Sequence, residues 1–287
     1  MLNSMWKRRI TVVALIGLML LFGNGSHLLE TKASENMQHV LTDKPIIVAH
    51  RGASSLAPEN TLAAVRKGIE VGAQWIEIDV HQTSDHHLVV LHDEKLDRTT
   101  NGSGAVNQYT LAEVRQLDAG SWFSAEFSGE RIPTLQEVLD ATKDKAILLI
   151  ELKGSNIEGP TIELVREMNM ENQVVIQSFD HDAVANAKAL APEIPTMLLI
   201  KEPSFASNPA IAAKWMVKRA EKKNADGIGI RFSYLTEDLV KLAGERGLVV
   251  FPWTVNTEGD LLTAIEMGVD GIITNYPQTL KGLLSTP

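Results

Sequence analysis

Cysteine is absent from this sequence, which excludes disulfide bonds, thiolate metal ligands and cysteine nucleophiles. Aromatic residues are few, at 5%, although a hydrophobic fraction of 44% is enough for a large core. Basic residues are outnumbered, with 27 Lys and Arg against 36 Asp and Glu, and the net charge is −9. An acidic balance of this kind argues against nucleic acid as a partner.

The apolar run near the N-terminus, Ile10–Phe22, is shorter than the roughly 20 residues that a membrane-spanning helix needs. Three basic residues at positions 7–9 precede it, an order typical of a signal peptide. We therefore assign residues 1–34 to a signal peptide and the start of a linker. Cleavage after Ser26 or Ala33 would release a secreted or extracytoplasmic protein without stable membrane contact. The alternative is an uncleaved membrane anchor.

Short apolar strands alternate with helical patterns over residues 45–287, after a polar linker at 35–44. This alternation indicates a parallel sheet that is buried on both faces. About eight repeats without a glycine-rich dinucleotide turn favour an α/β TIM (β/α)8 barrel over a doubly wound sheet. The turn at 84–87 is too short for a crossover helix and predicts a hairpin-like step. Residues 93–132 carry turn chemistry, which predicts a small insertion after the third strand, over the barrel mouth.

Chemistry-bearing side chains cluster where the predicted strands end. The strands are predicted at 46–49, 75–80, 88–91, 146–152, 173–178, 196–200, 227–230, 248–254 and 271–274, and the helices at 60–71, 134–141, 158–168, 181–190, 209–223, 236–246, 258–267 and 277–284. Active sites of such barrels lie at the carboxyl ends of the strands. The residues at or near those ends are His50, Glu77, Asp79, His92, Glu151 and Lys153.

Three carboxylates among these residues predict a cation site. Glu77 and Asp79 stand two apart on one strand and therefore share a face, as do Glu151 and Lys153 on another. Oxygen ligands select Ca²⁺, Mg²⁺ or Mn²⁺ over zinc or copper. Three acids are costly to bury without a cation. The alternative is that the acids are solvated or paired in salt bridges.

Two histidines differ from the others in the chain because each ends an apolar strand beside a charged residue. His50 and His92 are suited to give and take a proton near neutral pH. Arg51 and Lys153 suit an anionic, phosphate-like substrate. Together these residues fit the cleavage of a phosphodiester. His81 is expected to point away from the acids and to be structural.

These residues belong to segments that closely resemble the glycerophosphodiester phosphodiesterases, and most of all their exported bacterial branch. The resemblance covers the chain from about residue 45 onward, and its segments are highly specific in combination. They are Ala49–Thr61, Ile76–Asp79, Leu91–Asp93, Leu96–Gly102, Glu151–Lys153, Gln177–Phe179, Trp253–Asn256 and Gly271–Pro277.

The resemblance implies a TIM barrel with one divalent cation, most often Ca²⁺ in exported members, with Mg²⁺ or Mn²⁺ as alternatives. The family's ligands correspond to Glu77, Asp79 and Glu151. Its acid and base correspond to His50 and His92, with His50 as the acid and His92 as the base.

The resemblance also implies a set of substrate contacts. Arg51 and Lys153 match phosphate-binding positions, Phe179 and Trp253 match positions on the glycerol side, and Glu59 matches a contact to a glycerol hydroxyl. Each softer assignment has an alternative. Lys153 would otherwise pair with an acid, the two aromatic rings would fill the barrel, and Glu59 would support its own turn.

The implied activity is hydrolysis of glycerophosphodiesters, such as glycerophosphocholine or glycerophosphoethanolamine, to an alcohol and sn-glycerol 3-phosphate, within glycerol and phospholipid metabolism. Exolytic attack on teichoic acid and cleavage of lysophospholipids remain open as variants of the same chemistry. A protein that binds an anionic cell-surface polymer without turnover is the alternative from another class.

Overall fold

The computed structural model describes residues 44–285. The predicted signal peptide, its cleavage sites and the linker up to residue 43 lie outside the described residues. No helix within 44–285 has the length and apolar character to cross a membrane.

Strands and helices alternate along the described residues, as predicted for a TIM barrel. The strands are β1 (Ile46–Ala49), β2 (Trp75–Gln82), β3 (Leu88–Val90), β4 (Ile147–Leu152), β5 (Val174–Ser178), β6 (Thr196–Ile200), β7 (Gly227–Arg231), β8 (Val249–Trp253) and β9 (Gly271–Thr274). The helices are α1 (Leu62–Glu70), α2 (Leu111–Val114), α3 (Leu135–Thr142), α4 (Glu158–Glu167), α5 (His181–Leu190), α6 (Pro209–Lys222), α7 (Glu237–Glu245), α8 (Glu258–Glu266) and α9 (Pro277–Ser285).

Eight parallel strands form a nearly closed barrel in the order β8-β7-β6-β5-β4-β2-β1-β9. The two ends of this order meet through hydrogen bonds from Asp270 N to Val250 O (3.2 Å) and from Val255 N to Ile273 O (3.0 Å). β3 lies outside the barrel and pairs with β2 antiparallel, so the hairpin-like step is confirmed. Because of this pairing β2 continues to Gln82, two residues beyond its predicted end.

The inside of the barrel is filled by alternate residues of the strands, which face inward because side chains alternate along a strand. Trp75 and Phe251 are its largest members, with ring centroids 5.2 Å apart. A Cβ at Gly271 would lie 2.6 Å from the Phe251 ring, so glycine there leaves room for the aromatic ring. The opposite faces of the strands pack against the helices and form the larger part of the core. The barrel below the site is therefore a packed support.

The insertion that follows β3 has a small core of its own. Val89 of β3 and the following Leu91 complete it, and the insertion supplies Leu96, Val106, Val114, Ala119 and Ile132. Arg115 in the insertion ties it to α3 by paired hydrogen bonds to Glu137, both of 2.8 Å. The segment thus packs as a separate layer on β3, and its first residues lie beside the barrel mouth.

Candidate active site

The three predicted cation ligands meet at the carboxyl ends of β2 and β4. Asp79 and Glu151 are direct register partners on these strands. One carboxylate oxygen from each of Glu77, Asp79 and Glu151 lies within 4.8 Å of the others. All three side chains are buried, with residue exposures of 1%, 1% and 7%. The pairing of two distant strands has brought together the acids that the sequence placed on separate elements.

The charge balance of this cluster favours a cation. Burial, together with repulsion from Asp79 and Glu151, raises the pKa of Glu77 well above its ordinary value. Burial and Asp79 raise the pKa of Glu151 to about 7, although Lys153 opposes them. Asp79 Oδ1 has no hydrogen-bond donor within residues 44–285. A hard divalent cation would supply what these oxygens lack, so the residues fit the predicted metal.

Asn60 orients the central carboxylate. Its side-chain amide donates to Asp79 Oδ2 over 2.8 Å, and its carbonyl oxygen accepts from the backbone N of Asp79 over 3.2 Å. Asn60 adopts a left-handed backbone with φ of 57°, which asparagine tolerates better than most residues. This reciprocal pair leaves Asp79 Oδ1 as the oxygen turned toward the cluster.

His50 stands at the end of β1 between the acids and the last strand. Its Nδ1 lies 2.6 Å from Asn275 Oδ1, and its Nε2 lies 3.9 Å from Glu77 Oε2. Because an amide oxygen only accepts, Nδ1 carries the proton and Nε2 faces the site. Burial and the neighbouring Arg51 lower the pKa of His50 to about 4. The free site therefore holds a neutral His50 at neutral pH.

His92 lines the same cavity and is also held through its Nδ1. Its Nδ1 lies 2.6 Å from Asp93 Oδ1, and its Nε2 lies 3.3 Å from Lys153 Nζ. A carboxylate on Nδ1 fixes the proton there, so the lone pair of Nε2 faces the ammonium of Lys153. Both histidines are thus held through Nδ1, His50 by a neutral amide and His92 by a carboxylate.

Arg51 sits in a tight turn after β1, with φ of 55° followed by 76° at Gly52. Its backbone N donates to Glu77 Oε2 over 2.8 Å, and its Nη1 donates to Glu59 Oε1 over 2.8 Å. Its Nε lies 3.5 Å from Asp79 Oδ2. The guanidinium therefore lies between the cation site and Glu59. Both oxygens of Glu59 already accept hydrogen bonds from arginines, so its predicted contact to glycerol stays a prediction.

Lys153 and two aromatic rings, Phe179 and Trp253, pack together beside the acidic triad. Lys153 Nζ lies 3.0 Å from Glu151 Oε1 and 5.9 Å from the centre of the Phe179 ring. Phe179 packs edge-on against Trp253, with centroids 5.3 Å apart. Phe179 is 41% exposed, so it does not fill the barrel. One cavity is lined by both rings, both site histidines, Arg51, Glu77 and Glu151.

Several residues around the site were missed by the sequence analysis. His81 is not directed away from the site as predicted, since its Nε2 lies 3.2 Å from the backbone oxygen of His92. Strand alternation was the overlooked signal, because His81 lies two residues beyond Asp79. Asn275 had no local signal, since 225 residues separate it from His50.

The mouth of this parallel barrel thus holds an acidic triad able to bind a cation, two imidazoles held through Nδ1 and two cationic side chains. This combination defines a TIM-barrel hydrolase site for an anionic substrate.

Comparisons with known proteins name the family. The profile of the glycerophosphoryl diester phosphodiesterase family matches residues 50–279. A glycerophosphodiester phosphodiesterase of Caldanaerobacter subterraneus subsp. tengcongensis is 40% identical over 247 residues, which cover 84% of this chain and 98% of that protein. One of Bacillus subtilis is 36% identical over 253 residues, covering 82% and 85%. The chain belongs to the glycerophosphodiester phosphodiesterase family.

Solved structures agree with this assignment. A phosphodiesterase of Oleispira antarctica in complex with the product sn-glycerol-3-phosphate superposes with a TM-score of 0.77 at 33% identity, covering 87% of this chain and 99% of that one. A glycerophosphodiester phosphodiesterase of Agrobacterium tumefaciens superposes with a TM-score of 0.72 at 30% identity, covering 83% and 99%. The predicted family and the predicted barrel are therefore both confirmed.

Proposed function

We propose that this enzyme hydrolyses glycerophosphodiesters to an alcohol and sn-glycerol 3-phosphate with His50 and His92 as acid and base. The observation that carries the proposal is that one cavity is lined by two acids of the triad, Glu77 and Glu151, and by two imidazoles held through Nδ1. The product complex of the Oleispira antarctica relative supports the same substrate class.

The reacting phosphate binds between the cationic side chains. Arg51 and Lys153 both approach the central acid of the triad, at 3.5 Å and 3.8 Å from different oxygens of Asp79. A cation held by Glu77, Asp79 and Glu151 adds positive charge beside the phosphate when it is bound. The glycerol group packs on the wall formed by Phe179 and Trp253.

His92 acts as the base. Asp93 holds the Nδ1 proton, so the Nε2 lone pair takes the proton of the attacking hydroxyl as the new P–O bond forms. The neighbouring carboxylate stabilises the imidazolium that results, as in other carboxylate–histidine pairs. Attack by water and attack by a substrate hydroxyl through a cyclic phosphate both fit this role. Solvent ¹⁸O labelling with trapping of a cyclic product separates the two routes.

His50 acts as the acid. Its low pKa in the free site comes from burial and Arg51, and an anionic phosphate bound nearby favours the protonated imidazolium. Nε2 then gives its proton to the alcohol oxygen as the old P–O bond breaks, while Asn275 keeps the ring in place. Because an imidazolium is a far stronger acid than an alcohol, proton transfer to the leaving alkoxide is downhill.

Calcium is our proposed ion, because three carboxylates without nitrogen ligands suit a hard cation and tolerate a flexible geometry. We also propose that the protein is exported, because residues 1–34 have the pattern of a signal peptide. Glycerophosphocholine and glycerophosphoethanolamine are the proposed small substrates. Glycerol phosphate polymers such as teichoic acid are a second candidate substrate, because an exported enzyme would have access to them.

The test is glycerol 3-phosphate release from glycerophosphocholine by the full chain, after chelation and after addition of Ca²⁺, Mg²⁺ or Mn²⁺. Release restored by a cation supports the reaction and names the ion. His50→Gln and His92→Gln should abolish release, whereas His87→Gln in the exposed turn before β3 is the matched control. Full activity of His92→Gln refutes the assigned base, and no release with any ion refutes this substrate.

A further inference from the structure

One arginine outside the predicted site, Arg98, connects the two sides of the mouth. It belongs to the insertion after β3, and it binds two carboxylates, Asp93 at the start of the same insertion and Glu59 from the segment before α1. Its Nη1 donates to Glu59 Oε2 and its Nη2 to Glu59 Oε1, both over 2.8 Å. Its Nε donates to Asp93 Oδ2 over 2.7 Å, and Nη2 also reaches Asp93 Oδ1 at 3.2 Å.

Each of these carboxylates holds a residue to which we assign a role in the reaction. Glu59 Oε1 also accepts from Arg51 Nη1, so Arg98 and Arg51 share one carboxylate. Asp93 Oδ1 also pairs with His92 Nδ1. A continuous path therefore runs from the phosphate-binding arginine to the base, and Arg98 is its middle member.

Positive and negative charges alternate along this path. The hydrogen bonds of Arg98 to its two carboxylates match the planar arrangement of donors on a guanidinium group. Burial alone would raise the pKa of Glu59, but hydrogen bonds from Arg98 and Arg51 lower it to about 2. Hydrogen bonding from Arg98 also holds the pKa of Asp93 below its ordinary range, even though desolvation opposes it. Both acids therefore stay ionised, and each keeps a fixed oxygen for its other partner. A lysine ammonium cannot present two donor pairs in two directions.

We propose that Arg98 is a positioning residue for the reaction, which sets the orientation of the His92 ring through Asp93 and of Arg51 through Glu59. This inference rests on the proposed function. It assigns to the insertion a part in catalysis, because the insertion supplies the residue that fixes the base relative to the phosphate site. Arg98 itself does not touch the reacting atoms.

The test compares Arg98→Met and Arg98→Lys with Arg115→Met. Arg115 is the matched control. It also belongs to the insertion and also forms two hydrogen bonds to one carboxylate, but its partner, Glu137 of α3, holds no residue of the site. Steady-state rates are measured for glycerophosphocholine with saturating Ca²⁺. Ring nitrogen signals of His92 are measured by NMR in ¹⁵N-histidine-labelled protein, assigned with His92→Gln.

Arg98→Met should lower kcat by about 10- to 100-fold, the range found when a partner that orients a metal ligand is lost. It should also raise KM, because Arg51 is less well held, and it should move the His92 ring signals. Arg98→Lys should recover part of the rate, and Arg115→Met should leave both rate and signals near those of the unaltered protein.

Two outcomes separate the inference from the function on which it rests. Equal losses of rate in Arg98→Met and Arg115→Met, with unmoved His92 signals, overturn the role of Arg98 and reduce it to a structural contact. Absence of turnover by the unaltered protein with every cation overturns the proposed function instead, and the ring signals then still report whether Arg98 orients His92.

Discussion

Replacement of Glu151 by glutamine should stabilise the cation-free protein, and only at the upper end of the pH range. Glu151 is 7% exposed and lies against Asp79, so its ionised form is unfavourable without a cation. Glutamine keeps the shape of the side chain but carries no charge. The variant therefore resembles the protonated form at every pH.

The size of the effect follows from the shift in pKa. Burial and Asp79 raise the pKa of Glu151 from its ordinary 4.5 to about 7. Below pH 4.5 the carboxyl is protonated in both the folded and the unfolded chain, so it costs nothing. Between pH 4.5 and 7 the unfolded chain ionises first, and stability falls. Above pH 7 the loss levels off at about 3 kcal/mol, at 1.36 kcal/mol per unit.

The measurement is urea unfolding of both proteins in a chelating buffer at pH 4.5 and pH 8. We expect Glu151→Gln to gain about 3 kcal/mol relative to the unaltered protein between the two pH values. Glu158→Gln is the control, because Glu158 is a buried glutamate outside the site, 8% exposed and hydrogen-bonded by Asn186. Saturating Ca²⁺ should reverse the order, since the variant lacks one ligand of the ion.

The reasoning is wrong if the difference in free energy of unfolding between Glu151→Gln and the unaltered protein is the same at pH 4.5 and pH 8. It would mean that Glu151 ionises normally in the folded chain and that the acidic triad carries no electrostatic strain. A gain of the same size in Glu158→Gln would instead assign the effect to glutamate burial in general.

Three further substitutions probe the site and its support. Asn275→Leu removes the acceptor 2.6 Å from His50 Nδ1 and should lower kcat about tenfold or more; an unchanged kcat in steady-state assays contradicts that role. Gly52→Ala places a Cβ 2.5 Å from the Ala64 carbonyl carbon at a φ of 76° and should cost about 1–3 kcal/mol of stability in urea unfolding, so an equally stable variant is the contrary result. Phe179→Ala should raise KM and spare kcat, whereas a fall in kcat alone argues against a substrate contact.

The barrel and the acidic triad were readable from the chain because both rest on local patterns. Alternating apolar strands and helices predict a parallel barrel, and residues two apart on a strand share a face. The same rule applied to His81 would have placed it with Asp79, and the contacts of His81 correct the prediction that it points away. Contacts between distant segments could not be predicted from the sequence. An example is the hydrogen bonding of Arg98 to Glu59, 39 residues apart.

The sequence by itself determined the fold class, the family resemblance, and the residues of the acidic triad and the histidine pair, because each depends on short motifs at strand ends. Only the tertiary structure decided how those residues are held. Closure of the barrel brings Asn275 to His50 across 225 residues, and the folding of the insertion brings Arg98 to Glu59 across 39 residues. Hydrogen bonds and desolvation depend on which side chains meet in space, and it is they that separate the pKa of a buried His50 from that of an exposed imidazole.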